Sequence, residues 1–186
     1  GITWKEATSS AFPKRYNSSA HVFNDKMWVI GGNQSGLSDV WYSSDGTNWT
    51  EAVNPASFGA RWWHQSLTFD NKRWLIGGRN QSGPQNDLWF SEDGINWSQY
   101  STTTSYGSRQ NHTSFVYRDK IWIVAGENSS TYNDVWTLDD ANIKVADYDY
   151  GGKYATFTSP ACGDTLTIGQ TYKIKWRTNV DPNVVT

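Results

Sequence analysis

Three stretches of the chain repeat one pattern of apolar and polar positions. They are SAHVFNDKMWVIGG (19–32), QSLTFDNKRWLIGG (65–78) and TSFVYRDKIWIVAG (113–126). Each alternates toward Phe23, Phe69 or Tyr117, turns on two polar residues, and resumes as a short apolar run that closes on Gly-Gly or Ala-Gly. Alternation with period two predicts a strand with one buried face, and two such runs across a polar pair predict a hairpin. Glycine after the second run permits positive φ or close backbone approach. Downstream, SDVWYSSDGTNW (38–49), NDLWFSEDGINW (86–97) and NDVWTLDDANIK (133–144) supply a third strand. In the first two, an Asp-Gly turn leads to a fourth strand opened by Trp49 or Trp97.

The spacing is regular. Trp28, Trp74 and Trp122 are 46 and 48 residues apart, and Trp41, Trp89 and Trp136 are 48 and 47 apart. Upstream, Arg15, Arg61 and Arg109 keep the same register. Four strands in such a period form one blade of a β-propeller. The third repeat loses the pattern after Trp136, where Lys144 stands eight residues on in place of a Trp and the Asp-Gly turn is missing. Trp4 precedes Arg15 by 11 residues, as Trp49 and Trp97 precede their arginines by 12, so 4–15 reads as a spare fourth strand able to complete the third blade.

Together these features resemble the kelch repeat: the Arg before strand one, the aromatic-x-x-Gly-Gly of strand two, the aromatic of strand three and the Trp of strand four. The resemblance covers about residues 4–140. It implies an all-β fold of about three kelch-type propeller blades, divided as 16–60, 61–108 and 109–140, belonging to a larger or oligomeric ring. SSDGTNW (43–49) and SEDGINW (91–97) also resemble the Asp-box of sialidases, a structural hairpin, which gives Asp45 and Asp93 a structural role. Residues 141–158 read as a connector with exposed tyrosines. Residues 159–186 resemble the opening strands of an immunoglobulin-like β-sandwich of secreted surface proteins, with clean alternation over 169–176. Such a sandwich needs about seven strands, so the chain is expected to stop inside it.

Composition sharpens the class. Of 186 residues 12 are Trp, aromatics make up 16%, and Leu occurs only six times, which favours strands over helices. A formal net charge of -2 without charge runs argues against nucleic acid as partner. No apolar run approaches the length of a membrane span. Cys162 is the only cysteine, so an intrachain disulfide is excluded. The chain does not begin with Met and shows no signal peptide, so residue 1 is expected not to be a natural start.

Antiparallel order places the loops from strand two to three and from strand four to the next strand one on a single face. That face would collect Arg15, Tyr16, Arg61, Trp62, Trp63, His64, Arg109, Gln110, Asn111, His112 and Glu127. Arginine offers a forked donor to carboxylates, and Trp or Tyr a flat apolar surface. In kelch proteins that bind acidic partners, the Arg at this position lines the channel mouth, so the resemblance implies a binding face here. The competing reading has the arginines tying blade to blade through backbone carbonyls. His64 and His112 share one repeat position that Ser18 takes in the first repeat, which leaves a metal without a third ligand; no metal and no cofactor is expected. Galactose oxidase, a kelch-type enzyme, needs a Tyr-Cys pair for its copper, and Cys162 lies outside the repeats. Asp39, Asp87 and Asp134 recur in every repeat, as blade-positioning groups would, whereas Glu127 is unique and is the acid candidate. Seven Asn-x-Ser/Thr sequons, at Asn17, Asn33, Asn48, Asn80, Asn96, Asn111 and Asn128, follow the repeat and are compositional.

The expected function is a non-catalytic extracellular binding or adhesion module, secreted or at the cell surface, recognising a glycan or an acidic protein or peptide. The alternative is a secreted carbohydrate-active enzyme using Glu127 or further blades. Three blades do not close a ring. Either the chain is a fragment of a longer propeller, or two copies form a homodimer that completes a six-bladed ring.

Overall fold

The computed structural model describes residues 2–33, 36–100, 106–138, 153–156, 175–178 and 184–185. All regular structure among them is β, and no helix is long and apolar enough to cross a membrane. The chain divides into two compact units, Gly1–Asp140 and Ala141–Thr186.

The first unit contains three antiparallel meanders. In the first, β1 (Ser19–Phe23), β2 (Lys26–Gly32), β3 (Leu37–Ser43) and β4 (Thr50–Val53) pair in sequence order. In the second, β5 (Gln65–Phe69) pairs with β6 (Lys72–Ile76), a two-residue ladder β7 (Arg79–Asn80) and β8 (Gly83–Pro84) interrupts the loop, and β9 (Leu88–Ser91) and β10 (Ser98–Tyr100) complete the sheet. The third holds β11 (Thr113–Tyr117), β12 (Lys120–Val124) and β13 (Val135–Leu138). The first hairpin of each sheet has one register: Phe23 faces Lys26, Phe69 faces Lys72 and Tyr117 faces Lys120. Their two-residue turns have positive φ at both positions, 48° and 53° at Asn24 and Asp25, as a type I′ turn requires.

The Asp-Gly turns close through local hydrogen bonds. Asp45 Oδ1 accepts the Thr47 and Asn48 N–H groups at 2.8 Å each, and Asp93 Oδ1 accepts those of Ile95 and Asn96 at the same distance. The indoles of Trp49 and Trp97 donate back to the Gly46 and Gly94 carbonyls.

Successive sheets pack face to face, with β5 between β1 and β11. The first two sheets bury an aromatic pair from strands one and two, Phe23 with Trp28 and Phe69 with Trp74. Phe23 and Trp28 lie under Arg73 of the second sheet, whose guanidinium carbon is 4.2 and 3.8 Å from the two ring centres. Gly94 sits so close that a Cβ there would lie 2.4 Å from Trp28 Cζ3. The core of this layer includes Ile30, Val40, Phe58, Leu75 and Trp97.

Two expectations are corrected. Residues 2–18 form no strand, so the spare strand at 4–15 is not paired, and Trp4 is 99% exposed. A strand exists through its ladder partner, and no described strand pairs with this segment. Within the expected connector, Lys153–Thr156 forms a strand, because it finds a partner. This β14 pairs with β15 (Lys175–Thr178), which pairs with β16 (Val184–Val185). The rest of the connector, its tyrosines at 148 and 150, and most of the expected sandwich over 159–186 lie outside the described residues.

Candidate functional site on the inner loops

The sequence places one loop before each strand one and one after each strand two, and the structure brings the two sets together. The Asn33 N–H donates to the Tyr16 carbonyl at 2.7 Å. Trp62 and Arg79 exchange two backbone hydrogen bonds at 3.0 and 2.8 Å, and Gln110 and Glu127 do so at 3.0 and 2.9 Å. A second series links the repeats. Trp63 N–H donates to the Asn17 carbonyl at 3.1 Å, and Asn111 N–H to the Trp63 carbonyl at 3.2 Å. Gly32 and Gly78 donate to the carbonyls of Arg61 and Arg109, each in the following repeat.

The three arginines are not a ligand-facing surface. Their side chains are 3%, 2% and 1% exposed. The Arg15 fork meets Asp39 through two bonds of 2.9 and 2.8 Å and also donates to the Gly31 carbonyl. Arg61 does the same with Asp87 and Gly77, and Arg109 with Asp134 and Ala125. The strand-three Trp of each repeat donates its indole N–H to the same carboxylate, at 2.7, 2.7 and 2.6 Å for Trp41, Trp89 and Trp136. The physical reason is valence. Both carboxylate oxygens are already matched to a bidentate guanidinium, so no fork remains for an outside anion. Burial works to raise the Asp39 pKa, but the Arg15 and Trp41 hydrogen bonds and the Arg15 charge outweigh it and hold the group below the usual range. Arg109 holds Asp134 well below that range. The link between repeats runs through the arginine carbonyls, while each guanidinium braces its own repeat.

The histidines leave the surface too. His64 and His112 are buried, and none of their four ring nitrogens has a hydrogen-bond partner. They fill the seam beside the glycines that end strand two: a Cβ on Gly78 would lie 2.5 Å from His64 Cβ, and one on Gly126 2.8 Å from His112 Cβ. Burial, with the charges of Arg61 and His112, lowers the His64 pKa to about 3; burial and Arg109 lower that of His112 to about 4. An approach to the Ile30 carbonyl opposes the His64 shift without forming a hydrogen bond. His21, on β1, contacts Ser66 Oγ at 3.0 Å and is lowered to about 4 by burial and Arg73.

Glu127 is the opposite of a proton donor. Gln110 Nε2 at 3.1 Å and Asn111 Nδ2 at 2.8 Å both donate to Oε1, and these bonds lower its pKa. A general acid at neutral pH needs its pKa raised.

Tyr16, Trp63, Asn111 and Glu127 remain accessible, with Arg79, whose Nη1 donates to Gln110 Oε1 at 3.2 Å. Gln110 and Trp62 are buried beneath them. Trp62 stands against Trp63 at 6.4 Å between ring centres, and its indole N–H is buried without a partner. Trp63 has φ of 56°, a left-handed conformation, where the equivalent residues Asn17 (56°) and Asn111 (55°) are of a type that tolerates it. For a bulky side chain that conformation is a genuine outlier. The sequence signal was there: Trp63 departs from its own repeat.

Antiparallel meanders stacked in sequence order, each closing its inner loop with one Arg–Asp–Trp set, define a β-propeller repeat protein. The chain belongs to the kelch-repeat family: the KLHDC2/KLHL20/DRC7 Kelch-repeats domain matches residues 2–147. Kelch-repeat domains mediate protein interactions. No curated protein matches the chain. Among solved structures it is similar to one described as "Structure of YjhT", at 18% identity and a TM-score of 0.55, over 66% of this chain and 37% of that one. That likeness shows the fold. The chain spans little more than a third of that structure's length.

Proposed function

We propose that this chain is a non-catalytic binding module whose inner loops recognise a protein or peptide. Trp63 is the central contact, and Tyr16, Asn111, Glu127 and Arg79 surround it. The strained Trp63 carries the reading. A left-handed non-glycine residue costs on the order of 1–3 kcal/mol and persists where function requires it. Two of three repeats fill this position with asparagine, so the backbone does not demand an indole. The buried Trp62 N–H adds to the argument, since an unsatisfied donor costs about 1–3 kcal/mol. A large, rigid aromatic beside a mixed polar rim is the composition of an interface hot spot.

The carbohydrate-active alternative loses Glu127 as its acid, because the Gln110 and Asn111 hydrogen bonds lower its pKa, and would need an acid from further blades. A flat indole also suits a sugar ring, so a glycan is the competing ligand class. A secreted or cell-surface setting belongs to this reading through the resemblance of 159–186, and fractionation of the native protein checks it. A peptide array run beside a glycan array, with turnover assays on every hit, tests the whole reading. Peptide binding without turnover supports it; glycan hits alone, or turnover of a bound sugar, contradict it.

A further inference from the structure

One position of the inner loops changes its charge from repeat to repeat. It follows the Gly-Gly or Ala-Gly that ends strand two, and holds Asn33, Arg79 and Glu127 in turn. Groups that build the scaffold recur, as Arg15, Arg61 and Arg109 do. A position that runs neutral, positive and negative is not set by the scaffold. Its backbone pairing is nevertheless shared, since Arg79 bridges Trp62 as Glu127 bridges Gln110.

The two charges are held apart by one amide. Arg79 Nη1 donates to Gln110 Oε1 at 3.2 Å, and Gln110 Nε2 donates to Glu127 Oε1 at 3.1 Å, joined there by Asn111 Nδ2 at 2.8 Å. Gln110 is buried, while Arg79 and Glu127 are partly exposed. An amide that accepts from the cation and donates to the anion aligns its dipole with both, and so fixes the pair. Among the described residues no carboxylate pairs with Arg79 and no cation pairs with Glu127. Arg61 differs, because Asp87 fills its fork. The bonds to Oε1 lower the Glu127 pKa, so the carboxylate is charged at neutral pH. Trp63 joins the two loops: it follows Trp62, the backbone partner of Arg79, and its carbonyl accepts the Asn111 N–H.

We infer that the peptide recognised at Trp63 carries opposite charges two positions apart, an acidic side chain for the Arg79 fork and a basic one for Glu127. This rests on the inner loops being a peptide site. Residues i and i+2 of an extended peptide lie on one face about 6–7 Å apart. That is within the reach of the two hydrogen bonds and one amide that separate Arg79 from Glu127. Complementary charges fix register and direction more than affinity, because a reversed peptide sets like charges against each other. A peptide with two acids meets Arg79 with one and Glu127 with the other, so the pair also rejects uniformly acidic chains.

The test uses the full chain and an array of end-capped peptides holding one Asp and one Lys two positions apart, in both orders. Matched peptides carry two Asp, two Lys, or neutral Asn and Gln in their place. Wild type should favour one mixed order over its reverse and over every like-charged peptide, by roughly three- to tenfold. Arg79→Gln should lose the preference for Asp over Asn and keep that for Lys over Gln; Glu127→Gln should do the opposite. Glutamine at either position can still hydrogen-bond Gln110, so circular dichroism should be unchanged. The double variant Arg79→Glu/Glu127→Arg should reverse the favoured order. Capture that ignores charge order, or a double variant that keeps the wild-type order, overturns this inference and leaves Trp63 as a peptide contact. Capture of no peptide of any composition overturns both.

Discussion

Arg61, the most enclosed arginine of the middle repeat, reaches Asp87, Gly77 and Phe58 from a side chain 2% exposed. Removing one partner of such a pair leaves the other charge buried and alone, so Arg61→Ala should lower unfolding free energy by about 3–5 kcal/mol in urea denaturation. Arg61→Lys should recover little of it, because a point charge cannot match the fork. The sequence pointed to these arginines for the wrong reason. Their residue type suits an acidic ligand, and their partners lie 24 to 26 residues away, too far for local reading. Yet recurrence in every repeat, which marks Asp39, Asp87 and Asp134 as structural, marks the arginines equally. Trp63 shows the converse: its importance lies in a departure from the repeat and in a φ value that no residue pattern displays.

At the scale of elements, hairpins and their turns were legible, because apolar alternation and paired polar turn residues specify both register and twist. Among the described residues the third sheet has three strands, and the sequence departs from the repeat just beyond them, in the loss of a Trp and an Asp-Gly turn after Trp136. What sequence could not supply was how tightly the β9–β10 turn presses on the neighbouring sheet. Gly94 has φ of 82°, and any Cβ there would meet the Trp28 ring. Gly94→Ala should therefore destabilise the unit by about 1–3 kcal/mol through overpacking, read as a lower thermal midpoint. Gly59 is the control. It also has positive φ but nothing within 4 Å, so its replacement with Ala adds backbone strain without the packing clash.

Across the whole molecule, the buried His64 and His112 and the half-buried His21 set the response to acid. His21 and His112 titrate at about 4 and His64 at about 3 in the folded chain, against 6.5 when unfolded. Below 6.5 the unfolded chain takes up protons that the folded chain refuses, so stability is complete above that pH and falls as pH drops toward 3–4. Asp39 and Asp134, lowered by their arginines, act in the same direction at still lower pH, losing their contribution as they are protonated. Thermal melts from pH 7.5 to 4 should show the midpoint descending from about 6.5 downward; a midpoint flat across that window would mean the seam histidines are solvated. These seams hold the inner loops in place, and the loops present Trp63. The most direct test of that claim is Trp63→Asn, which restores the residue its own repeat uses elsewhere. The variant should melt at the same temperature as wild type or higher, and lose binding to whichever peptides a peptide array shows wild type to capture. Retained binding with a lowered melting temperature would make Trp63 a packing residue and contradict the account.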